Sequence, residues 1–518
     1  MRRMIPFLFV ALAFAGLPIS SAEAKTRKPS KAEQVSAEAR ARLDAETAAV
    51  RAAADGQVRT IQAIDDDPKG PQLNAVIVYN PNAAYEAGLL AHTGRLQGKT
   101  VLIKDNIETR EWPTTAGSLA LKDNRTGRDA PLVARIRGDG GVVLGKTNLS
   151  EWANIRSSSS SSGWSGVGGQ TRNPHATDRT PCGSSSGSGS AVAAGMAWGA
   201  VGTETDGSIT CPASINGIVG FKPTVGLISR TGIVPISHSQ DTPGPMTTSV
   251  ADAALLLTVM AGSDAKDPAT AFADAKRTDF TVGIGTYSLK GVRIGVLTRQ
   301  SGNHPGVNRV FDQAKQDLLA AGAVLVPIDY DPPGEMFRDE GVVLYFELRE
   351  DLNSYLAGLP GTPPVRSLAD VIQFNKNNAE AELRWFGQDS FIKAEKPVDR
   401  AAYEKARANS LRLAGPEGVD KLLRDNRVVV LIAPTSGPAW PIDLVTGDHF
   451  IDVGAGSLAA IAGYPHLTVP MGQVEGLPIG LSFIGPKWAD KQVLDVGAAY
   501  ERARTAALPK PAFKRWGE

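Results

Sequence analysis

Short apolar runs alternate with longer amphipathic stretches along the chain. The short runs are rich in β-branched residues and are flanked by Gly or polar turns, which predicts strands at 74–79, 100–105, 141–145, 292–297, 323–329 and 428–434. Apolar residues at helical spacing predict helices between them, among others at 132–140, 249–262 and 306–321. Strands that alternate with helices indicate an α/β fold, with a large mixed β-sheet covered by helices on both faces.

The N-terminus has a different pattern. Residues 1–24 contain two arginines, then an apolar run, then small residues that end in Ala22-Glu23-Ala24. This is the layout of a secretory signal peptide, with cleavage predicted after Ala24. The apolar run is short for a membrane anchor, and no later segment reaches the roughly 18 uninterrupted apolar residues of a membrane span. We therefore expect an exported protein, periplasmic or secreted, without stable membrane insertion after cleavage.

The rest of the chain divides into three parts. Residues 25–66 are rich in Ala, Glu, Lys and Arg and predict an N-terminal helical arm. Residues 67–505 form the main domain, in which the aromatic-containing stretch 345–425 is predicted to be a helical insertion that covers one face. Residues 506–518 are a C-terminal tail.

Composition excludes some classes of partner. The formal net charge of +1 over 518 residues leaves no electrostatic footprint for nucleic acid or for an anionic membrane surface. The two cysteines, Cys182 and Cys211, are too few for a disulfide scaffold in a chain of this length. They can form one bridge, and their spacing does not decide whether they do.

Several short motifs lack the context that their chemistry requires. GGVVLGKT (140–147) fits the phosphate loop of a nucleotide-dependent enzyme, but its β-branched centre resists the necessary curl. GSSSG (183–187) would make Ser185 a hydrolase nucleophile, but a polar stretch containing Pro181 precedes it where a buried strand is required. SFIK (390–393) fits S-x-x-K without the companion triplets. The six histidines show no metal-ligand spacing, so we predict neither metal nor cofactor.

Three segments remain and occur in order: VLIKDNIE (101–108), CGSSSGS (182–188) and GTETDGSITCPAS (202–214). In the first, Lys104 ends an apolar strand, which is unusual because a lysine charge is costly to desolvate. Taken alone, such a lysine more often extends its amine to water. The two serine- and glycine-rich segments shift the balance towards a catalytic lysine.

The three segments resemble the amidase signature family of serine hydrolases. The family's G-G-S-S-G-G-S-A and G-T-D-T-G-G-S-I stretches match 182–189 and 202–209, and the 24 residues from Ser184 to Ser208 fit the family spacing. Further matches, which extend the resemblance over about residues 58–505, are PTTAGS (113–118), GKTNLSEWA (145–153), FKPTVG (221–226) and AGYPHLTVPMG (462–472).

The resemblance implies a Ser–Ser–Lys triad that needs no cofactor. Ser208 is the nucleophile, Ser184 is the bridging serine after a cis peptide bond from Gly183, and Lys104 is the base. A serine hydroxyl becomes a good nucleophile only when a base takes its proton. Burial can lower the pKa of a lysine by about 3–5 units from its usual 10.4, which makes a neutral amine available near neutral pH.

The resemblance also implies an oxyanion hole made by the backbone N–H groups of Thr205, Asp206, Gly207 and Ser208. Three residues depart from the usual pattern. Asp206 replaces a glycine, and we expect its carboxylate to point away from the hole, towards a cationic or hydrogen-bonding group. Glu204 replaces an aspartate. Thr210 stands where many relatives carry arginine, so the site is less suited to binding a substrate carboxylate.

Within the family, segments 182–188, 202–213 and 229–246 look most like the bacterial peptide amidases, which remove ammonia from the C-terminal amide of peptides. Export suits such a substrate and argues against a cytosolic tRNA-linked amidotransferase subunit. The alternatives are an aryl acylamidase, a general aliphatic or fatty amide amidase, and, in another class, a non-catalytic periplasmic binding protein on the same scaffold.

Overall fold

The computed structural model describes residues 31–518, so the predicted signal peptide lies outside the described residues. Residues Thr47–Glu518 form one compact unit. The described strands are β1 (Val76–Tyr79), β2 (Thr100–Lys104), β3 (Val142–Thr147), β4 (Trp164–Ser165), β5 (Gly169–Gln170), β6 (Gly199–Glu204), β7 (Val219–Lys222), β8 (Thr242–Thr247), β9 (Arg293–Leu297), β10 (Val324–Ile328), β11 (Val430–Pro434), β12 (His466–Val474) and β13 (Leu477–Ile484). The described α-helices are α1 (Lys31–Ile61), α2 (Ala83–Leu90), α3 (Pro131–Gly138), α4 (Ser186–Ala193), α5 (Thr210–Ile215), α6 (Val250–Met260), α7 (Ala273–Lys276), α8 (Pro305–Ala320), α9 (Gly334–Ala357), α10 (Leu368–Asn377), α11 (Ala379–Glu382), α12 (Asp389–Glu395), α13 (Arg400–Ala414), α14 (Asp420–Asn426), α15 (Gly456–Ala462) and α16 (Asp490–Ala503).

Eleven of the described strands form one mixed sheet, in the order β1-β3-β2-β6-β8-β7-β12-β13-β11-β9-β10. Strands β3, β2 and β6 are parallel to one another, and so are β11, β9 and β10. The strands from β6 through β8, β7, β12 and β13 to β11 pair antiparallel, as does the edge strand β1. Two parallel groups therefore flank an antiparallel centre.

Helices cover both faces of this sheet. On β2, Val101 and Ile103 pack in one hydrophobic cluster with residues of α3, α6, α8 and α16. Leu102, between them, packs in another cluster with residues of α2 and α4. Because successive side chains of a strand point to opposite faces, the two clusters lie on opposite sides of the sheet. The predicted α/β fold is confirmed.

The six predicted strands are all present, with ends displaced by no more than two residues. Five strands of the sheet centre, namely β6, β7, β8, β12 and β13, were not predicted. The reason is clearest in β8, TPGPMT, because two prolines and a glycine normally indicate an edge strand or a turn. In the structure β8 pairs with neighbours on both sides, so tertiary context overrides the local preference.

The predicted helical stretch 345–425 is helical, but it begins earlier than expected. Helix α9 starts at Gly334, and the helices α10 to α14 follow it up to Asn426. Of the predicted arm at 25–66, residues 25–30 lie outside the described part, α1 covers Lys31–Ile61, and a π-helical turn follows at Gln62–Asp66. No helix within residues 31–518 is long and apolar enough to cross a membrane.

The C-terminal tail at 506–518 contains neither helix nor strand, yet it contacts the main unit. The N–H groups of Ala512 and Phe513 donate to the Pro174 carbonyl at 3.1 and 2.9 Å. The N–H of Trp516 donates to Asp178 at 2.8 Å. The tail is thereby attached to the loop that leads towards Ser184.

Candidate active site

Lys104 ends strand β2 with its side chain fully buried. It lies two residues after Leu102, so its side chain leaves the sheet on the face where α4 packs. Its Nζ lies 2.8 Å from Ser184 Oγ, 2.9 Å from Thr203 Oγ1 and 3.2 Å from the Thr203 carbonyl oxygen. The amine thus contacts two hydroxyls and one carbonyl, and no carboxylate.

This environment favours the neutral amine. Burial lowers the pKa of Lys104 to about 7, against the opposing charges of Asp241 and Glu204. A neutral amine has two N–H donors and one lone pair. The two oxygens of Thr203 can accept the two N–H bonds, which leaves the lone pair to accept the O–H of Ser184.

Ser184 sits in a tight backbone segment before α4. The Gly183–Ser184 peptide bond is cis, as the resemblance implies. The Ser184 carbonyl accepts the N–H of Ser150 at 3.0 Å, and the Ser186 hydroxyl donates to the Cys182 carbonyl at 2.6 Å. A side chain at position 183 would place its Cβ 2.1 Å from Ser150 Oγ. Glycine at this position therefore leaves room for the Ser150 hydroxyl beside the bridging serine.

Ser208 lies in the loop between β6 and α5. Glu204 fixes this loop, because its Oε2 accepts the N–H groups of Ile209 and Thr210 at 2.7 and 2.9 Å. The Ser208 carbonyl accepts the N–H of Ser185 at 3.2 Å, which joins the two serine segments. No hydrogen bond links the Ser208 hydroxyl to another residue of 31–518, and in unliganded enzymes catalytic hydrogen bonds often form only when substrate binds.

A disulfide between Cys182 and Cys211 also joins the two serine segments. Cys182 lies two residues before Ser184, and Cys211 lies three residues after Ser208. Both cysteines line the same cavity as Ser208. The bridge that the sequence left open is thus present, and it fixes the distance between the backbones that carry the two serines.

The segment predicted to form the oxyanion hole has free donors. Within residues 31–518, no hydrogen bond engages the backbone N–H groups of Thr205, Asp206, Gly207 or Ser208. All four residues line a cavity of about 260 Å³. Gly207 has a φ of +79°, a conformation that glycine adopts without strain. The backbone can therefore direct several N–H groups towards one point in the cavity.

The carboxylate of Asp206 accepts a hydrogen bond from the Ser457 hydroxyl of α15 at 2.7 Å. It is also hydrogen-bonded to Glu340 of α9. Asp206 therefore has hydrogen-bonding partners, as expected. They are a hydroxyl and a second carboxyl group, and neither is a cation. Neither Ser457 nor Glu340 was identified from the sequence, because both lie more than 130 residues from Asp206 along the chain.

Two adjoining cavities reach the site. The first, which we call the nucleophile cavity, is the one of about 260 Å³ and is lined by Ser208 and the disulfide together with Ile155, Leu344 and Phe450. The second, the outer cavity, has about 340 Å³ and is lined by Thr203, Arg230, His238 and Tyr355 among others. The two share Ala153, Thr205 and Ile236 in their walls. A substrate can therefore extend from the nucleophile into a larger space.

The rejected motifs take structural positions. Val142–Thr147 of GGVVLGKT is strand β3, and Lys146 is buried in an ion pair with Asp105 at 2.7 Å. Neither a phosphate-binding loop nor a free lysine is present there. Ser185 is fully buried, and its hydroxyl donates to the Thr203 carbonyl at 3.1 Å. It supports the site from behind Ser184.

One group of described residues could contribute metal ligands. The potential ligand atoms of His238, Glu347 and Asp351 lie within 4.8 Å of one another. However, Glu347 already accepts hydrogen bonds from the hydroxyls of Ser239 and Tyr403 at 2.9 and 2.7 Å. Asp351 accepts the backbone N–H of His238 at 2.8 Å. The group links the loop before β8 to α9 and does not fit an ion without losing these bonds.

Comparison with known proteins shows the family of the chain. The Amidase family model matches residues 69–494. The chain belongs to the amidase family.

A probable amidase of Arabidopsis thaliana is 37% identical over 462 residues, which cover 86% of this chain and 85% of the relative. The peptide amidase of Stenotrophomonas maltophilia is 46% identical, with a TM-score of 0.85 over 90% of this chain and 95% of that one. A peptide amidase bound to the competitive inhibitor chymostatin is also 46% identical, with a TM-score of 0.86 over 90% and 98%.

This amidase is therefore an enzyme that hydrolyses amides. The sequence singled out Lys104, Ser184 and Ser208, and the structure brings Lys104 and Ser184 into hydrogen-bond contact and Ser208 into the adjoining segment. Thr203, which holds the amine, was missed, although it lies within the same GTETDGSI stretch. Its place on β6, two residues after Val201, offered no sign that it contacts a lysine.

Proposed function

We propose that this amidase is a serine amidohydrolase that removes ammonia from peptide C-terminal amides through an acyl-enzyme on Ser208. One observation carries the catalytic part: the fully buried Lys104 amine lies 2.8 Å from Ser184 Oγ and contacts no carboxylate. Such an amine can act as a base near neutral pH. Ser208 is joined to the Ser184 segment by the hydrogen bond from the Ser185 N–H to its carbonyl, and it lines a cavity of about 260 Å³.

The first half-reaction moves one proton along the three residues. Lys104 accepts the hydroxyl proton of Ser184, and Ser184 accepts that of Ser208. Ser208 Oγ then forms a bond to the amide carbon, whose oxygen takes the negative charge. Free N–H groups of the 205–208 segment donate to that oxygen, and each such donor typically lowers the barrier by about 3–4 kcal/mol.

The intermediate collapses when the carbon–nitrogen bond breaks. The proton held by Lys104 returns through Ser184 to the leaving nitrogen, which departs as ammonia. The acyl group remains on Ser208 as an ester. Water then attacks this ester with the same base, which releases the free carboxylic acid and restores the hydroxyl.

Two observations support an uncharged peptide amide as substrate. The similar solved structures are named as peptide amidases, one of them with a competitive inhibitor bound. Among the described residues that line the nucleophile cavity, Asp206 alone has a charged side chain, and its carboxylate is occupied by Ser457 and Glu340. Without a cation there, the cavity suits a neutral carboxamide better than the carboxylate product, and product release is favoured.

We also propose that the enzyme is exported, with residues 1–24 as the signal peptide. The Cys182–Cys211 disulfide supports an oxidising compartment, because disulfides persist in the periplasm and outside cells. Expression of the full chain with fractionation and N-terminal sequencing tests this. A mature N-terminus after Ala24 in the periplasm or medium supports export, and an uncleaved cytosolic chain contradicts it.

The substrate is tested by rates on three matched amides: a peptide amide, an anilide and a long-chain aliphatic amide. We expect the highest kcat/KM on the peptide amide, with ammonia as product. Ser208→Ala should lower kcat by a factor on the order of 10⁴–10⁶, with the fold retained. A preference for the anilide or the aliphatic amide would replace the proposed substrate, and undiminished turnover by Ser208→Ala would overturn the mechanism.

A binding protein on the same scaffold is separated from an enzyme by covalent labelling. A fluorophosphonate reacts with an activated serine and forms a stable adduct. We expect the adduct on Ser208 in the wild type and no adduct in Ser208→Ala or Lys104→Met. Peptide amide binding without adduct or turnover would favour the non-catalytic alternative.

A further inference from the structure

A pair of carboxyl groups lies beside the oxyanion segment and has no part in the triad. Asp206 and Glu340 are hydrogen-bonded to each other, and we call them the acid pair. Asp206 belongs to the loop that carries Ser208, and Glu340 is a buried residue of α9. Carboxylates are hydrogen-bond acceptors only, so a hydrogen bond between two carboxyl groups requires a proton on one of them.

The surroundings keep that proton in place. Neither carboxyl group is hydrogen-bonded to a cation within the described residues. Lys222 of β7 attracts a charge on Asp206, whereas Glu204 of β6 repels it, and Lys222 also faces Asp490. Burial raises the pKa of Glu340 to about 8 and that of Asp206 to about 6. At neutral pH the acid pair therefore holds one proton and one negative charge.

The acid pair also belongs to a network that reaches the backbone of the oxyanion segment. Gln240 Nε2 donates to Glu340 Oε1 at 2.9 Å and to the Thr205 carbonyl at 3.3 Å. On the other side, the Ser457 hydroxyl donates to Asp206 at 2.7 Å. Thr205 and Asp206 are thus held from α9 and from α15, immediately before the N–H groups of Gly207 and Ser208.

We propose that Glu340 is a positioning residue for amide hydrolysis: by sharing a proton with Asp206 it holds the oxyanion segment with its N–H groups towards the nucleophile cavity. This inference rests on the proposed function. When the shared proton is lost, two like charges in contact repel each other. Asp206 and Glu340 then separate, and the segment that Asp206 carries loses its shape.

The consequence is a loss of activity at high pH that the triad alone does not produce. Lys104 and the serines become more active as the amine is deprotonated, so they predict a plateau above about pH 7. The acid pair predicts a fall in kcat above about pH 8, by about tenfold per pH unit, with a smaller change in KM. The pH profile should therefore be bell-shaped.

Glu340→Gln tests the assignment. The amide of glutamine can donate to an ionised Asp206 and does not titrate, so kcat at pH 7 should stay within a few-fold of wild type and the high-pH fall should disappear. Glu335→Gln is the matched control, because Glu335 is an exposed residue of the same helix. It should keep both the basal activity and the fall. A high-pH fall that persists unchanged in Glu340→Gln would overturn the inference.

A second measurement does not depend on turnover. Infrared spectroscopy should detect a protonated carboxyl group that loses its proton between about pH 7 and 9 in the wild type. The signal should be absent in Glu340→Gln and in Asp206→Asn, and present in Glu335→Gln. Absence of the signal in the wild type would overturn the acid pair whatever the variants do. An intact signal without amide hydrolysis would instead contradict the proposed function.

Discussion

Two lysines lie at the ends of neighbouring parallel strands, Lys104 as the last residue of β2 and Lys146 as the last but one of β3, and their amines have different partners. In the register of β2 and β3, Ile103 pairs with Lys146 and Lys104 pairs with Thr147. Both lysine side chains are fully buried. Lys146 Nζ lies 2.7 Å from a carboxylate oxygen of Asp105, with Thr114 Oγ1 at 3.1 Å. Lys104 contacts hydroxyl and carbonyl oxygens instead.

The difference shows what makes a buried lysine a base. Burial lowers the pKa of both amines, and at Lys146 the contact with Asp105 opposes that effect. An amine in contact with a carboxylate is stabilised as a cation and serves the fold. An amine among neutral oxygens is stabilised in its neutral form and can accept a proton. The partner atoms, and not burial alone, separate the two roles.

Of the two lysine exchanges, Lys104 to methionine should have the larger effect on catalysis. Lys104→Met removes the base while keeping side-chain volume, so kcat should fall by about 10²–10⁴. The free energy of unfolding should change by less than about 1.5 kcal/mol, because no charged partner is left behind. Steady-state kinetics and denaturant unfolding measure both. Retained turnover would assign the base to another group.

The same exchange at the neighbouring lysine should affect stability. Lys146→Met leaves the Asp105 carboxylate buried without its cation, which should cost about 3–5 kcal/mol of unfolding free energy. Replacing Asp105 as well, in Lys146→Met/Asp105→Leu, should restore part of the loss. Chemical denaturation of the single and double variants is the measurement. Equal stability of Lys146→Met and wild type would contradict the contrast between the two lysines.

The smallest effect concerns the low-pH side of the activity profile. Since the neutral amine is the active form, kcat/KM should fall about tenfold per pH unit below about pH 7. Thr203→Val removes one acceptor of the Lys104 cation, so the pKa of the amine and the midpoint of this fall should move to lower pH. A midpoint unchanged in Thr203→Val would show that a different group titrates. Thr278→Val, the same exchange at an exposed threonine, serves as control for general disturbance.

Much of the fold could be predicted where pattern and propensity agree. The β-branched runs gave strands β1, β2, β3, β9, β10 and β11 almost to the residue. The antiparallel centre could not be predicted, because strands such as Thr242–Thr247 carry prolines and owe their conformation to neighbours on both sides. The same holds for the site. The motif spacing indicated Ser184 and Ser208, but the contacts of Asp206 with Ser457 and Glu340 could not be predicted, because they join segments distant in sequence.

The sequence by itself determined the chemistry that is available: a lysine after an apolar strand, and two serines in glycine-rich turns. It also determined the alternation that gives the sheet two apolar faces. The tertiary structure alone decided which groups carry charge. Proton affinity depends on burial and on the few atoms within hydrogen-bond reach, and these come from remote parts of the chain. That is why Lys104 and Lys146, which are the same residue type in the sequence, differ in proton affinity in the structure.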